Sequence, residues 1–490
     1  MTPGKNRYIY SGLAVFSFII LFVISPDSYT HDAYNRVDSA WFFMCGKAWM
    51  NGLTPYVDFS DSKGPLLWLI YGVGYLFSHC DYHGVFWVSW LWYAAIYIYT
   101  YKTALIFLHS PLKSVLCSVI MTLSFFNSWF HYETRAEDFC LLFLMMSLYT
   151  TTSTIYQEWS EKQTRRAFFC LGLCFAALIF IKFNIAAMQT IFPLYLLCFC
   201  FRHHTTIVKP ALYGVLGVLT IAIPFITYFL IAGNGEAFVQ EYFFNTMQTV
   251  SNGNIVTEYV KEWLAVINNP ATLTLLAVII TGSLLMAKHL KQEPYYPLVT
   301  SLFVFSLTVR HALWPYYYTT CSFAVIWLIT YYLSGNHFIL TVRKTAAISA
   351  LAVLFCFVSN IFSDSVFRPI FFRQYPEKEH FYKVSAIMSQ TDKPTLINAC
   401  CWEYGYGLKA NALPGGKYWT LQNGASPAMI KEHREEILSG KSRFLFVYHS
   451  DLLKLANLSL PKLQSAGYHI CYEWGSDNNR RYLLRRLSTD

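Results

Sequence analysis

The first residues along the chain whose types suit catalysis lie in one short stretch, residues 36–65. Asp38 lies near its start, and Asp61 and Lys63 lie near its end. A carboxylate at a boundary between water and lipid can take a proton from a hydroxyl group as a general base. An ammonium group at the same depth can hold a phosphate and stabilise the charge that develops on it as a leaving group. The stretch therefore suits transfer of a group from a phosphate-linked donor to a hydroxyl.

More ionisable and aromatic side chains follow at the ends of later apolar runs. They are Glu137, Asp138, Lys182, Arg310, His311 and Tyr316. Ionisable residues at membrane depth are costly, so they usually face a cavity or one another and mark a site. All of them fall on one side of the membrane in the topology derived below. The sequence therefore predicts a polar cluster on that side.

The composition indicates an integral membrane protein. Of 490 residues, 55% are hydrophobic, 18% aromatic and only 13% charged, whereas soluble domains carry roughly 25% charged residues. In such a protein the formal net charge of +9 reflects cytoplasmic loops and anionic lipid, so we infer no nucleic-acid partner. The thirteen cysteines form no Cys-x-x-Cys pair, so neither a zinc site nor a disulfide framework is indicated.

The apolar runs predict about eleven membrane spans, since each span needs about 20 apolar residues. They lie near residues 8–25, 84–108, 113–130, 138–156, 166–181, 185–201, 208–232, 270–287, 295–309, 315–334 and 344–362. The run 168–201 is too long for one helix, and Lys182 lies at a natural hairpin tip. Lysines and arginines concentrate in the loops that are cytoplasmic if the N-terminus is cytoplasmic, which is the positive-inside pattern.

Two shorter helices are expected to lie in the membrane interface. After Asp38, apolar residues recur with helical spacing at Trp41, Met44, Cys45, Ala48 and Trp49, and Asn51-Gly52 ends the pattern. A short helix with one apolar face beside a span is typical of the interface. The segment Leu66–Phe77 is also short for a span. A crossing there would reverse the positive-inside bias of the later loops.

The composition changes near residue 363, where charge rises and no run long enough to span remains. Short β-type runs then alternate with helical patterns, as in α/β domains. We expect strands at Thr395–Ala399, Phe444–Tyr448, His469–Trp474 and Tyr482–Leu484, and helices at Lys378–Gln390, Met429–Leu438 and Asp451–Ser465. The predicted fold is mainly α: a polytopic membrane helical bundle at residues 1–362 and a small extracytoplasmic α/β domain at 363–490.

Four stretches resemble the GT-C superfamily of glycosyltransferases, in particular the branch of glycosyltransferase family 39 that includes protein O-mannosyltransferases and the aminoarabinose–lipid A transferase. They are VDSAWFFMCGKAWMNGLTPYVDFSDSKGPLLW (37–68), YETRAEDF (132–139), IKFN (181–184) and RHALWPYYY (310–318). Their order and topology match across about residues 1–360, and the C-terminal domain resembles the family only loosely. The resemblance implies a GT-C-like fold and inverting transfer of a sugar from a polyprenyl-phosphate-linked donor.

The resemblance also implies roles for individual residues. Asp38 matches the position of the family's catalytic acid and would be the general base. Lys63 matches the Lys of a Lys-Pro-Pro motif, although Gly64 stands here in place of the first Pro. Lys182 matches a ligand of the lipid phosphate.

The remaining site residues match less closely. Arg310 and His311 would add to phosphate binding. The donor and acceptor site would include Glu137, Asp138, Asp61 and Tyr316, and which of the two adjacent acids takes the family role stays open. The branch generally needs no divalent metal, and we expect neither a metal nor a cofactor.

Plainer roles compete with these assignments. Asp38 is also a suitable helix cap, and Lys63 would suit an anchor at the membrane interface. For Glu133 and Arg135 a solvated turn with internal ion pairs is the favoured interpretation. His311 would equally suit an aromatic belt at the membrane surface.

The expected function is that of a membrane glycosyltransferase acting on the extracytoplasmic face. Its partners would be the polyprenyl-phosphate-linked sugar, membrane lipid, and a glycan, lipid or protein acceptor. A polymerase or ligase of lipid-linked saccharides is one alternative. A transporter or flippase is another, which paired repeats and ionisable residues at mid-membrane would favour. We expect a bacterial inner membrane, with the N-terminus cytoplasmic and the C-terminal domain outside. The sequence names neither the sugar nor the acceptor.

Overall fold

The structure is a computed structural model that describes most of the chain. The described residues are 3–25, 27–29, 37–126, 134–157, 159–204, 206–247, 255–310, 314–335, 341–362, 378–399, 405–421, 425–449, 458–476 and 479–486. The chain divides into two compact units. The first unit holds Met1–Thr30, Ser89–Phe225 and Gly253–Phe372, and the second holds His31–Val88, Ile226–Asn252 and Arg373–Asp490.

Helices form most of both units. In chain order the α-helices are α1 (Pro3–Ile24), α2 (Asp38–Met50), α3 (Pro65–Phe77), α4 (His83–Leu108), α5 (Pro111–Ile120), α6 (Thr122–Phe125), α7 (Ala136–Tyr156), α8 (Glu161–Gln189), α9 (Ile191–Arg202), α10 (Val208–Ile231), α11 (Gly235–Phe238), α12 (Ile255–Asn268), α13 (Pro270–His289), α14 (Tyr296–Val309), α15 (Ile326–Ser334), α16 (Val342–Phe362), α17 (Lys378–Ser389), α18 (Tyr406–Lys409), α19 (Pro427–Leu438) and α20 (Leu460–Ser465). A π-helix occupies Val239–Asn245 and a 3-10 helix occupies Pro315–Val325.

Six helices in the described part are long and apolar enough to cross a membrane. They are Asn6–Ile24 within α1, α4, α7, α8, α10 and α13. Shorter apolar helices include α3, α9 and α14. The chain is therefore an integral membrane protein, and the predicted polytopic helical bundle is confirmed. The count of eleven spans remains a prediction, because several predicted spans fall on shorter or interrupted helices.

The predicted hairpin at Lys182 is present inside α8. Lys182 has non-helical backbone angles, φ −159° and ψ 96°, at a kink between two helical arms. The side-chain amide of Gln189 donates to the carbonyl of Leu171 at 3.2 Å. These two residues would lie about 27 Å apart in a straight helix. The chain therefore folds back at Lys182, which places this ammonium group at a hairpin tip.

The span expected at residues 315–334 differs from prediction in its first half. Pro315–Val325 is a 3-10 helix, and only Ile326–Ser334 is α-helical. Hydroxyl groups bond to carbonyls three residues earlier: Thr320 to Tyr317 at 2.7 Å and Ser322 to Thr319 at 2.6 Å. This spacing matches the 3-10 repeat, and long 3-10 segments often mark functional positions.

Helix α2 has the predicted bounds, but its burial is not confined to one face. All residues from Ser39 to Ala48 are buried, including Lys47. A Cβ added to Gly46 would lie 2.5 Å from the backbone nitrogen of Gly72 in α3, so the two helix backbones are in direct contact. The prediction of a single apolar face is therefore wrong. The helix is therefore buried on several sides within the second unit.

The C-terminal segment forms the predicted α/β structure. Five strands are present: β1 (Thr395–Ala399), β2 (Leu413–Pro414), β3 (Phe444–Tyr448), β4 (Tyr468–Trp474) and β5 (Arg481–Arg486). Their order is β2-β1-β3-β5-β4. Strands β1, β2 and β3 pair in parallel, whereas β5 is antiparallel to β3 and β4. The sequence predicted every strand except the two-residue β2. Of the helix expected at residues 451–465, α20 forms the end, and residues 451–457 lie outside the described residues.

Candidate functional site

Lys182 forms a buried ion pair with Glu137 in the first unit. Its Nζ contacts Oε1 of Glu137, the second residue of α7, and the side chains are 8% and 2% exposed. The Lys182 ammonium also lies 3.9 Å from the ring centre of Tyr317 and 5.8 Å from that of Tyr316. These distances are within cation–π range. The hairpin tip, the start of α7 and the 3-10 helix thus meet at Lys182.

Asp138 lies beside Glu137 but makes different contacts. Its carboxylate accepts hydrogen bonds from the backbone N–H of Arg135 at 2.9 Å and from the hydroxyl of Tyr93 at 2.5 Å. The first of these belongs to a capping box that starts α7. Asp138 therefore fixes the start of the helix, and Glu137 faces Lys182. The sequence alone did not distinguish these two acids.

Arg135 is buried, with 5% of its surface exposed. Its guanidinium carbon lies 3.8 Å from the ring centre of Tyr316, where a planar guanidinium stacks well. The interpretation of Arg135 as part of a solvated turn is therefore wrong, and Glu133 lies outside the described residues. Two cations, Arg135 and Lys182, lie over the ring of Tyr316. We call the group Arg135, Glu137, Lys182, Tyr316 and Tyr317 the tyrosine–cation cluster.

Arg310 directly follows α14 in the first unit and is half-buried. Its guanidinium is close enough to Glu262 of α12 to affect the pKa of that carboxyl. Burial raises the pKa of Glu262 to about 7, and the positive charge of Arg310 opposes this rise. Glu262 was not predicted from the sequence, in which it resembles an ordinary acidic residue of an amphipathic helix. The predicted phosphate ligand His311 lies outside the described residues.

Asp38 and Lys63 both belong to the second unit, where Lys63 lies beside helix α2. Asp38 is the first residue of the helix, and Val37 occupies the cap position, so the plain role of a capping residue does not fit Asp38. The Lys63 ammonium lies 5.6 Å from the ring centre of Phe42. Phe42 follows Asp38 by one turn and shares its face, and helical side chains lean towards the N-terminus. Lys63 therefore lies over the face of α2 that carries Asp38.

Asp61 and Lys63 form a compact polar turn. Lys63 Nζ lies 3.8 Å from a carboxylate oxygen of Asp61, and the Asp61 side chain is 1% exposed. The same ammonium donates to the hydroxyl of Ser62 at 2.9 Å, and the backbone N–H of Ser62 donates to Asp61 at 2.6 Å. The carboxylate of Asp61 thus keeps the ammonium group of Lys63 next to the turn.

The loop before this turn is held in a strained conformation around Tyr56. This residue has φ +64°, which is uncommon for a residue with a side chain and is often found at functional sites. Its buried hydroxyl donates to the carbonyl of Lys63 at 3.0 Å. Asp58 accepts from the backbone N–H of Thr54 at 2.7 Å and so stabilises the loop. These hydrogen bonds fix the backbone position of Lys63 and so the point from which its side chain extends.

Two further residues of the second unit contact this loop, Glu241 and Lys417. A third, Tyr418, donates its hydroxyl to Glu241. None of these residues was predicted from the sequence. Glu241 stands in the aromatic segment VQEYFFN of the π-helix. The rule that a charged residue in an apolar context marks a site would have identified it. We call Ser60, Asp61, Lys63, Glu241, Lys417 and Tyr418 the loop cluster.

Each unit thus gathers part of the predicted site. The first unit joins Glu137, Lys182 and Tyr316 and adds Arg135. The second joins Asp61 and Lys63 and places Lys63 beside Phe42, one helical turn after Asp38. Cations held against aromatic rings and carboxylates have donor hydrogens suited to phosphate oxygens, and a carboxylate at a helix start can accept a proton.

Comparison with solved structures shows the fold. ArnT from Cupriavidus metallidurans bound to undecaprenyl phosphate has a TM-score of 0.63 and 10% sequence identity, covering 100% of this chain and 99% of that one. The apo state of the same protein has a TM-score of 0.59 and 9% identity, covering 99% and 98%. An Archaeoglobus fulgidus oligosaccharyltransferase in complex with Zn and sulfate has a TM-score of 0.40 and 11% identity, covering 96% and 72%. The two ArnT structures confirm the expected GT-C-like fold, and at 9–10% identity the likeness is one of fold alone.

Sequence comparison gives no relative. No protein-family model matches the chain, and no curated protein matches it. The likeness is therefore one of fold, spread over the whole chain at very low identity.

Proposed function

We propose that this protein is a membrane glycosyltransferase that takes a sugar from a polyprenyl-phosphate-linked donor and attaches it to an acceptor hydroxyl. The observation that carries the proposal is the position of Arg135 and Lys182 over one ring, Tyr316, inside a helical bundle. Two buried cations at one place suit a doubly charged ligand such as a phosphate. The structure of ArnT with undecaprenyl phosphate, which has the same fold, supports a lipid phosphate as that ligand.

In this proposal Asp38 is the general base. Its carboxylate takes the proton of the acceptor hydroxyl while the acceptor oxygen bonds to the anomeric carbon of the sugar. The bond from that carbon to the phosphate oxygen breaks, and the polyprenyl phosphate leaves with the electron pair. Direct displacement inverts the configuration at the anomeric carbon, as the family resemblance implies.

The cations stabilise the leaving phosphate. Lys63, Lys182, Arg310 and His311 take this role, and Arg135 joins them. Because Lys182 is already paired with Glu137, a phosphate would share the ammonium with that carboxylate. Glu137 then sets the position of Lys182.

Asp61, Asp138 and Tyr316 support the same site. Asp61 neutralises Lys63 when no donor is bound, since the two are 3.8 Å apart. Tyr316 provides the aromatic surface on which the cations lie. Asp138 fixes the start of α7. No metal and no cofactor takes part in this scheme.

We further propose that the reaction takes place on the extracytoplasmic face of a bacterial inner membrane. Lysines and arginines favour a cytoplasmic N-terminus. This puts the first loop, residues 26–83 between the first two predicted spans, and the C-terminal α/β domain outside. A glycan, a lipid or a protein is the acceptor.

The proposal is tested with purified protein and a panel of polyprenyl-phosphate sugars. We expect release of polyprenyl phosphate together with transfer of a single sugar to an acceptor hydroxyl. Exclusive use of oligosaccharide donors would favour a polymerase or ligase. Movement of labelled lipid across vesicles without release of phosphate would favour a flippase and contradict the proposal.

A further inference from the structure

Glu241 is a buried acidic residue at the centre of the loop cluster. It is 7% exposed. Its carboxylate pairs with the Lys417 ammonium at 2.7 Å. It also accepts from the Tyr418 hydroxyl at 2.8 Å and from the Ser60 hydroxyl at 3.1 Å. One carboxylate therefore joins the first loop to a segment of the C-terminal domain.

The backbone makes the same connection. The N–H of Ser60 donates to the carbonyl of Lys417 at 2.9 Å. Close to it, the indole of Trp41 in α2 meets that of Trp419 edge to face, with ring centres 6.1 Å apart. The first loop is thus bound to residues 417–419 through a side chain, through the backbone and through an aromatic pair.

The groups that contact Glu241 are two hydroxyl donors, on Ser60 and Tyr418, and the ammonium of Lys417. Burial, together with the Glu241 carboxylate, raises the pKa of Tyr418 above its usual value, so the Tyr418 hydroxyl keeps its proton and donates it in a hydrogen bond. Lys417 supplies the balancing positive charge. Glu241 lies in a seven-residue π-helix, and such segments are rare and are frequently found at functional sites.

Ser60 connects Glu241 to the turn that carries Lys63. Ser60 directly precedes Asp61, and Asp61 contacts Lys63. A buried ion pair contributes little net stability compared with apolar packing, so stability alone does not account for Glu241. Its evident effect is to fix the position of the turn that carries Lys63.

We propose that Glu241 is a positioning residue that holds the Ser60–Lys63 turn against Lys417 and Tyr418, so that Lys63 is in place for the donor phosphate; this rests on the proposed function. The C-terminal domain then contributes to donor binding through the loop cluster, without touching the donor itself. Loss of the charge on Glu241 frees the turn and misplaces Lys63.

The first measurement needs no activity. Hydrogen exchange of the full-length protein in detergent is compared between wild type and Glu241→Gln. We expect faster exchange at the amides of residues 56–62, because the Ser60 bond to Lys417 opens more often. The matched control is Glu432→Gln, since Glu432 lies 4.0 Å from the same Lys417 ammonium but its side chain is 47% exposed. Unchanged exchange in Glu241→Gln would overturn the inference.

The second measurement is binding of polyprenyl phosphate to the same variants. Loss of a hydrogen bond between Lys63 and the phosphate corresponds to about 10-fold to 100-fold in affinity, so we expect Glu241→Gln to weaken binding by about this factor. In a Lys63→Ala background the same change should weaken binding less than about 2-fold, because the residue that it positions is gone. Equal losses in both backgrounds would show a general structural role and overturn the inference.

The two measurements separate the inference from the proposed function. If wild-type protein binds no polyprenyl phosphate, the proposed function fails, and the exchange rates still decide whether Glu241 holds the turn. If wild type binds and Glu241→Gln binds equally well, the inference alone fails.

Discussion

The ammonium of Lys182 and the carboxylate of Glu137 form an ion pair that is almost fully buried, at the point where α8 reverses direction. A buried pair has a large desolvation cost that its mutual attraction only partly offsets. Its presence at a hairpin tip, against two tyrosine rings, is therefore better explained by ligand binding than by stability. This interpretation leads to the first prediction.

Replacing one member of the pair should damage stability and binding, and replacing both should damage binding alone. Lys182→Met leaves the buried carboxylate of Glu137 unpaired, which costs about 3–5 kcal/mol of stability. The double variant Lys182→Met/Glu137→Gln removes both charges and should recover most of that loss. Thermal unfolding in detergent measures the first effect, and titration with polyprenyl phosphate measures the second. A double variant that regained full affinity would contradict a role for Lys182 in phosphate binding.

Arg135→Ala should weaken binding of polyprenyl phosphate, because it removes the guanidinium that lies 3.8 Å from the ring centre of Tyr316. Loss of a charge-assisted hydrogen bond corresponds to about 1.5–3 kcal/mol, or about 10-fold to 100-fold in affinity. Arg165→Ala is the matched control, because Arg165 also lies over a tyrosine ring, that of Tyr213 at 5.7 Å, outside the predicted site. Similar losses in both variants would mean that Arg135 has no specific role.

The C-terminal domain should lose stability as the pH falls from about 6.5 to about 4. Burial lowers the pKa of His433 to about 4 from its ordinary 6.5, and its Nδ1 is hydrogen-bonded to the carbonyl of Tyr418. The unfolded chain takes up a proton in this window while the folded chain does not. The loss amounts to about 3 kcal/mol, is complete near pH 4, and is absent above about pH 6.5.

Hydrogen exchange in β1 and β3 across this pH range measures the effect on the domain. The variant His433→Asn keeps a donor for the Tyr418 carbonyl and does not titrate. It should flatten the pH dependence relative to wild type, while the contribution of Glu436, one turn further along α19, stays in both proteins. Identical pH profiles would show that His433 is not responsible.

Local patterns in the sequence were sufficient to predict much of the fold. The helix from Asp38, the hairpin tip at Lys182 and the strand at Thr395–Ala399 all appear as predicted, since each depends on turn residues or on periodicity within a few residues. The resemblance carried by four ordered motifs implies a GT-C-like fold, and the structural likeness to ArnT confirms that fold.

Packing between segments that lie far apart in the sequence could not be predicted from local patterns. Burial of Lys47 and Phe42 on both sides of α2 depends on segments far along the chain, and no local period reports it. Arg135 looked like a solvated residue because its partner, Tyr316, lies far away in sequence. Lys417 and Tyr418 carry no motif and become candidates only through their contact with Glu241. The domain division at residue 363 stays a prediction, and the compact second unit also includes the first loop.

The most direct test of the account is the transfer rate of Asp38→Asn with a polyprenyl-phosphate sugar, measured beside Asp58→Asn. Both variants replace a carboxylate by an amide in the same part of the chain, and the amide oxygen at residue 58 can still accept from Thr54. The account predicts that Asp38→Asn remains folded and still binds polyprenyl phosphate but loses about 100-fold or more of its rate, whereas Asp58→Asn stays near wild type. Transfer by Asp38→Asn at the wild-type rate would contradict it.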